Sequence, residues 1–185
     1  MARHTKRFTE GMLDTREIIR KLELRPGLTI VDAGCGNGYM SMLFSEAVGP
    51  EGLVYALDVN AQFIKEIREE ITADNIRPMV ADILQPTPLA DGCADVVYTA
   101  TVLHSVGREK MPGVADEVRR LLTPGGLFGV VEIAKHATRF GPPQAQRYAP
   151  EELRAALPFT PVSLTYVAEH FYLQVFKVWP FAHQI

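Results

Sequence analysis

The apolar positions change period along the chain. Between Met12 and Leu22 they fall at 12, 13, 18, 19 and 22, the spacing of a short amphipathic helix. Arg25-Pro26-Gly27 turns the chain, and residues 28–33 form a short β-branched apolar run, which predicts a buried strand ending at Gly34. Tyr39 to Val48 reads as a helix closed by Gly49-Pro50. Residues 53–57 predict a second buried strand ending at Asp58, and Asn60 can cap a helix whose face is Phe63, Ile64, Ile67 and Ile71. Met79 to Ala81 is a weaker third strand ending at Asp82, and Ala94 to Leu103 is a fourth. Met111, Val114, Ala115, Val118, Leu121 and Leu122 keep helical spacing until Pro124-Gly125-Gly126 stops them, and Leu127 to Ile133 is a fifth strand. A short helix over 151–157 precedes two successive strands, 162–169 and 171–178.

Strands alternating with helices predict an α/β fold, a parallel sheet with helices on both faces. The two adjacent strands at the end predict a hairpin, hence one antiparallel strand. The loop from Lys135 to Pro150 is long for a compact domain, and loops of that length often carry function.

Composition narrows the class without choosing within it. At 185 residues the chain reads as one domain, 1–185, with 1–27 as an N-terminal helix and cap and 135–150 as a substrate-side loop. Hydrophobic residues make up 47% and charged residues 22%, which excludes disorder as the main state. A net charge of −3 gives no general pull toward nucleic acid or anionic lipid. Two cysteines, Cys35 and Cys93, cannot build a disulfide framework or a four-thiolate zinc site. The basic N-terminus lacks the apolar stretch of a secretory signal, and no apolar run reaches membrane-spanning length. A cytoplasmic protein is the expectation.

The chemistry concentrates where the first strand ends. Asp32-Ala33-Gly34-Cys35-Gly36-Asn37-Gly38 leads from strand to helix through alternating glycines, so a ligand can lie on bare backbone and face N–H groups. Nicotinamide and flavin enzymes also use a glycine turn here, spaced G-x-G-x-x-G. In this chain the third position of that spacing is Tyr39, and the pattern is G-x-G-x-G with Asp32 two residues ahead. That favours a ligand whose amino-acid end needs a nearby carboxylate over a dinucleotide. Asp58 can accept both hydroxyls of a ribose. Asp82 can accept from an adenine amino group, or can simply cap a turn.

Together with Tyr98, Leu103-His104 and the run Arg119 to Gly126, these residues resemble a class I S-adenosylmethionine-dependent methyltransferase of the ubiquinone/menaquinone-biosynthesis-like, small-molecule group. The resemblance covers residues 12–134. It implies a Rossmann-like, doubly wound sheet of seven strands, mostly parallel with the last antiparallel, and S-adenosylmethionine as cofactor with S-adenosylhomocysteine as product. It implies that Asp32, Gly34, Cys35, Gly36, Asn37 and Gly38 wrap the methionine end. Asp58 would hold the ribose, Asp82 and Ile83 would meet the adenine, Val59 would also contact the cofactor, and Thr99 and Ala100 would lie near the reacting methyl. Tyr39, His136, Tyr148 and His170 fall on the acceptor side.

The acceptor side is less determined. His104 follows the fourth strand on the carboxyl rim and is the candidate catalytic base, against a purely structural reading. His104, His136 and His170 all belong to one rim of the inferred topology, so a three-imidazole metal site is an alternative. Arg139, Arg147 and Tyr148 belong to a solvated loop from which they could meet an anionic or aromatic acceptor. Phe171, Tyr172, Phe176 and Trp179 read as strand core. Arg3, His4, Lys6 and Arg7 read as a tail able to fold over the cofactor, and His183 as tail. Residues 98–101 lack the Asn/Asp-Pro-Pro-Tyr sequence of nucleic-acid amino methylation, and two thiols are too few for arsenite chemistry. A small-molecule acceptor follows, with no nucleic acid and no membrane, and a homodimer through the exposed edge of the terminal hairpin. Two other classes stay open: an oxidoreductase using a nicotinamide, and a non-catalytic S-adenosylmethionine-binding partner protein.

Overall fold

The structure is a computed structural model, and it describes residues 11–179. Among the described residues seven strands form one sheet: β1 (Thr29–Ala33), β2 (Leu53–Asp58), β3 (Ile76–Val80), β4 (Ala94–Ala100), β5 (Leu122–Ile133), β6 (Thr160–Ala168) and β7 (Phe171–Lys177). Their order is β3-β2-β1-β4-β5-β7-β6. Neighbours from β3 to β5 are parallel, and β7 runs antiparallel to both β5 and β6. This is the doubly wound arrangement expected, with the last strand reversed.

Helices cover both faces: α1 (Thr15–Lys21), α2 (Tyr39–Val48), α3 (Ala61–Glu70), α4 (Met111–Leu121) and α5 (Pro150–Ala156). Alternate side chains of the buried strands divide between two cores. Ile30, Val54, Val96, Tyr98 and Val131 pack with Phe44, Ile64 and Ile67 under α1–α3. Val31, Leu57, Val97, Phe128 and Val130 pack with Val114, Val118 and Leu153 under α4 and α5. Burial on both faces explains why these strands read as continuous apolar runs.

Caps fix the helix starts. Asp14 Oδ1 accepts from the Glu17 N–H at 3.0 Å, and Asn60 Oδ1 accepts from the Gln62 N–H at 2.9 Å, as its position predicts. α2 begins instead on Gly38 at φ +79°. A side chain there would meet Ile71 Cδ1 at 2.8 Å and Ile67 at 3.1 Å, so both the backbone angle and the packing require glycine.

Among the boundaries that differ from expectation, three stand out. β3 begins at Ile76 and contains Arg77 and Pro78, which hide it from an apolar count and which only an edge strand tolerates. β4 ends at Ala100, because Thr101 turns to φ +54° and Leu103–Ser105 forms a 3₁₀ turn. β5 starts at Leu122, so Pro124-Gly125-Gly126 lies within the strand, where the register against β4 shifts between Ala94 and Val96. Phe171, Tyr172 and Phe176 are buried strand core, but Trp179 is exposed beyond the end of β7, with Lys177 Nζ over its ring. Arg3, His4, Lys6, Arg7 and His183 lie outside the described residues. Among the described residues no helix is long and apolar enough to cross a membrane.

Candidate active site

Strand order reverses between β1 and β4: the chain winds outward to β2 and β3 on one side and to β5 on the other. Such a switch point opens a crevice at the carboxyl ends of the strands. A cavity of about 260 Å³ is found there, lined by Gly34, Asp58, Val59, Ala81, Asp82, Ile83, Ala100, Thr101, Val102 and Ser105. Of the cofactor residues expected from the sequence, it brings together Gly34, Asp58, Val59, Asp82, Ile83 and Ala100.

The others support this wall from behind. Gly36 N–H donates to Asp58 Oδ2 at 2.7 Å, and Asn60 N–H to Asp58 Oδ1 at 2.8 Å, so the glycine turn aims the carboxylate. Gly34 and Cys35 N–H both donate to Leu57 O, which stitches the turn to the end of β2. Asp32 is buried and accepts from Ser41 Oγ at 2.6 Å, pinning the first turn of α2. Asn37 Oδ1 accepts from Tyr39 N–H at 3.3 Å, and the half-buried Tyr39 packs against the α1–α3 core. Asp82 does both things considered for it: it lines the cavity, and its Oδ1 accepts from Leu84 N–H at 2.9 Å in an Asx turn.

Thr101 carries no signal in the sequence. A β-branched residue at φ +54° is a backbone outlier, costing roughly 1–2 kcal/mol. Its N–H donates to Val131 O at 2.8 Å. The bend leads into Val102, whose side chain closes over Gly34, and then into His104. Glu132, fully buried at the end of β5, holds that segment: Oε1 accepts from Leu103 N–H at 2.8 Å and His104 N–H at 3.3 Å, and Oε2 lies 2.8 Å from His104 Nδ1. A carboxylate there selects the Nδ1–H tautomer and leaves Nε2 as the basic atom. His104 lies between Val102 and Ser105, both of which line the cavity.

The three-histidine metal reading is corrected. His136 Nε2 meets His170 Nδ1 at 2.9 Å, but His104 is committed to Glu132. Among the described residues no three His, Cys, Asp or Glu side chains converge on a metal position. The solvated-loop reading of Arg147 and Tyr148 is corrected as well. Arg147 is buried, and all five of its N–H donors are used: Nε on Pro142 O, Nη1 on Ala134 O and His136 O, and Nη2 on Thr138 Oγ1 and Phe140 O. The loop is folded around one guanidinium. Tyr148 is a core residue and not an acceptor contact. Its hydroxyl donates to Val106 O at 3.4 Å, its carbonyl accepts from Tyr172 Oη at 2.8 Å, and burial raises its pKa. Lys135 Nζ bonds Glu152 Oε1 at 2.6 Å and, with the Ala149 N–H, holds that carboxyl down at about 2.

Residues 30–126, just over half of the chain, match the family described as "Methyltransferase domain". The chain belongs to this methyltransferase family. It is 28% identical to the demethylmenaquinone methyltransferase of Symbiobacterium thermophilum, over 68% of this chain and 50% of that protein. It is 35% identical to the malonyl-[acyl-carrier protein] O-methyltransferase of Pectobacterium atrosepticum, over 69% and 48%. The chain thus spans about half the length of these curated relatives. The solved SAM-dependent methyltransferase of Aquifex aeolicus shares the fold, with a TM-score of 0.84, 21% identity and 94% of each chain covered.

This methyltransferase domain has a site that suits S-adenosylmethionine. A Cβ added at Gly34, itself at φ +80°, would overlap Val102 Cγ2, so the wall admits bare backbone only. Val59, two-thirds exposed, and Ile83 offer apolar surface beside Asp82, as an adenine with an amino edge needs. Thr99 Oγ1 is buried at the end of β4 without a hydrogen-bond partner among the described residues. The glycine pattern made the cofactor side findable from sequence. Glu132 carried no such signal, because a lone acid within an apolar strand has no spacing to recognise.

Proposed function

We propose that this chain transfers a methyl group from S-adenosylmethionine to a small-molecule acceptor by in-line displacement. The observation that carries the reading is the switch-point cavity, which joins Gly34, Asp58, Asp82 and Ile83 to the bend that presents His104. When bound, the cofactor supplies a methyl on a cationic sulfur and leaves as S-adenosylhomocysteine. The chain's part is alignment and exclusion of water, worth roughly 7–11 kcal/mol of barrier when both reactants are held in register. Gly34 lets the ligand approach the backbone, Asp58 accepts from the ribose, and Val59 and Ile83 flank the base. His104 Nε2 takes the proton of an O–H or N–H nucleophile, and Glu132 steadies the imidazolium formed.

The acceptor reading rests on what surrounds this site. Residues 98–101 lack the nucleic-acid amino-methylation sequence. Neither cysteine is in a disulfide: Cys35 is buried in the glycine turn, and burial raises the pKa of Cys93, which disfavours arsenite and fits a reducing, cytoplasmic setting. Neither the oxidoreductase nor the non-catalytic reading has an observation in its favour. The test is turnover. Incubation with methyl-labelled S-adenosylmethionine and a panel of phenolic, quinol and carboxylic acceptors should yield S-adenosylhomocysteine and labelled product. Binding without turnover across the panel would favour the non-catalytic reading.

A further inference from the structure

The crevice between β1 and β4 is furnished at one end and stopped at the other. At the furnished end Asp58 and Asp82 offer carboxylates, and Val59 and Ile83 offer apolar surface, which is what a nucleoside needs. At the other end stands the bend from Thr101 to Ser105. Gly36 and Gly38 are buried, and of the three turn glycines Gly34 alone lines the cavity. The half-buried Val102 rests on it, on the side where a Cβ would overlap Val102 Cγ2. The volume left, about 260 Å³, falls short of the roughly 300–1,000 Å³ of pockets that enclose a whole small ligand. The backbone around Val102 is fastened. The Thr101 N–H donates to Val131 O at 2.8 Å, the Leu103 N–H to Glu132 Oε1 at 2.8 Å, and the Val102 carbonyl accepts from Ser105 Oγ at 2.6 Å. The left-handed φ of Thr101 opposes this arrangement, because a β-branched residue there is strained. Contact with Gly34 holds Val102 down, and strain one residue earlier favours letting it go.

We propose that Val102 is a movable cover over the glycine end of the crevice. Resting on Gly34, it leaves room for a nucleoside and covers the glycine backbone. Turned away, it uncovers that backbone for a nucleoside that carries an amino-acid end. S-adenosylmethionine and S-adenosylhomocysteine must therefore displace one side chain that a shorter nucleoside leaves alone. The displacement stays local, since Glu132 accepts from both the Leu103 and the His104 N–H groups and keeps His104 in place. A ligand that fits only a minor arrangement binds more weakly in proportion to how little that arrangement is populated. The longer ligands carry that penalty, and a nucleoside without the amino-acid end does not. This inference rests on the methyl-transfer reading and adds to it the one side chain that the whole cofactor has to move.

Calorimetric titration of the full chain with S-adenosylhomocysteine, and separately with 5′-methylthioadenosine, tests it. The second ligand keeps the nucleoside and the sulfur and lacks the amino-acid end. Val102→Ala removes the methyl groups that cover Gly34. It should tighten S-adenosylhomocysteine by about tenfold, the gain expected if the uncovered arrangement is populated about one part in ten. Methylthioadenosine should bind the variant as it binds the parent chain. Val102→Leu, with a longer side chain at the same place, should weaken S-adenosylhomocysteine and again spare methylthioadenosine. Val102→Thr keeps the branched shape and should behave as the parent. Weaker binding of S-adenosylhomocysteine by Val102→Ala would make this residue a fixed wall of the seat and overturn the proposal. Equal changes for the two ligands, or none for either, would overturn it as well, and each of these results would leave the methyl-transfer reading standing. Failure of S-adenosylhomocysteine to bind the parent and every variant would overturn that reading and this proposal together.

Discussion

The two halves of the sheet solve different problems with different materials. From β1 to β4 the site is made of backbone: glycine N–H groups, a strand end and a bend at φ +54°. Its side-chain contribution comes from two carboxylates beside the ends of neighbouring strands, Asp58 at the end of β2 and Asp82 two residues beyond β3. From β5 to β7 the rim is made of side chains that reach across long stretches of chain. Glu132 reaches back to His104, Arg147 gathers the loop around itself, and Tyr172 holds Tyr148. Backbone recognition demands particular residues at fixed spacing and therefore leaves a motif. Side-chain scaffolding can be rebuilt from other residues and leaves none.

The contrast can be broken at several points. Gly34→Val offers the largest effect. It forces a branched side chain into the left-handed region and into Val102, and cofactor binding should disappear from calorimetry while the thermal transition persists. Tight binding by this variant would mean that the turn does not hold the cofactor. Next, His104→Ala should lower kcat by about a hundredfold with little change in cofactor affinity, the usual worth of a general base. Glu132→Gln should keep the hydrogen bonds to the Leu103 and His104 N–H groups yet distort the pH–rate profile, because the amide no longer specifies the tautomer.

Arg147→Ala probes the other half. It strips five hydrogen bonds from a buried loop core, and melting should report a loss of about 2–4 kcal/mol. KM for the acceptor should rise while the dissociation constant of the cofactor holds. An equal loss on both sides would erase the division between the halves. The smallest effect is in pH. Glu152 sits at about 2 in the folded chain against an ordinary value of 4.5, chiefly through Lys135 and then the Ala149 N–H. A depressed carboxyl supports the fold above its unfolded value and loses that support as pH falls between 4.5 and about 2. Pepsin cleavage within residues 135–150 should rise across that window, and Glu152→Gln should flatten the rise.

The same division explains what could be read from the sequence. Helix and strand periods, the glycine turn, Asp58 and the cap at Asn60 were all legible, since each depends on neighbours a few residues away. β3 was half hidden because an edge strand can hold Arg77 and Pro78. The loop misled because a buried guanidinium satisfied by carbonyls looks, in one dimension, like any exposed arginine. His136 and His170 do meet, as a shared rim suggested, but His104 is held apart by an acid that no pattern marked.

The central claim is that the β1–β4 crevice binds S-adenosylmethionine through Asp58. Isothermal titration of the full chain, and of its Asp58→Ala variant, with S-adenosylmethionine and separately with NAD tests it most directly. The expected result is saturable binding of S-adenosylmethionine, weakened by roughly 1–3 kcal/mol in the variant as a charged hydrogen bond is lost, and no comparable binding of NAD. Binding of NAD as tight as that of S-adenosylmethionine, or an affinity untouched by Asp58→Ala, would contradict it.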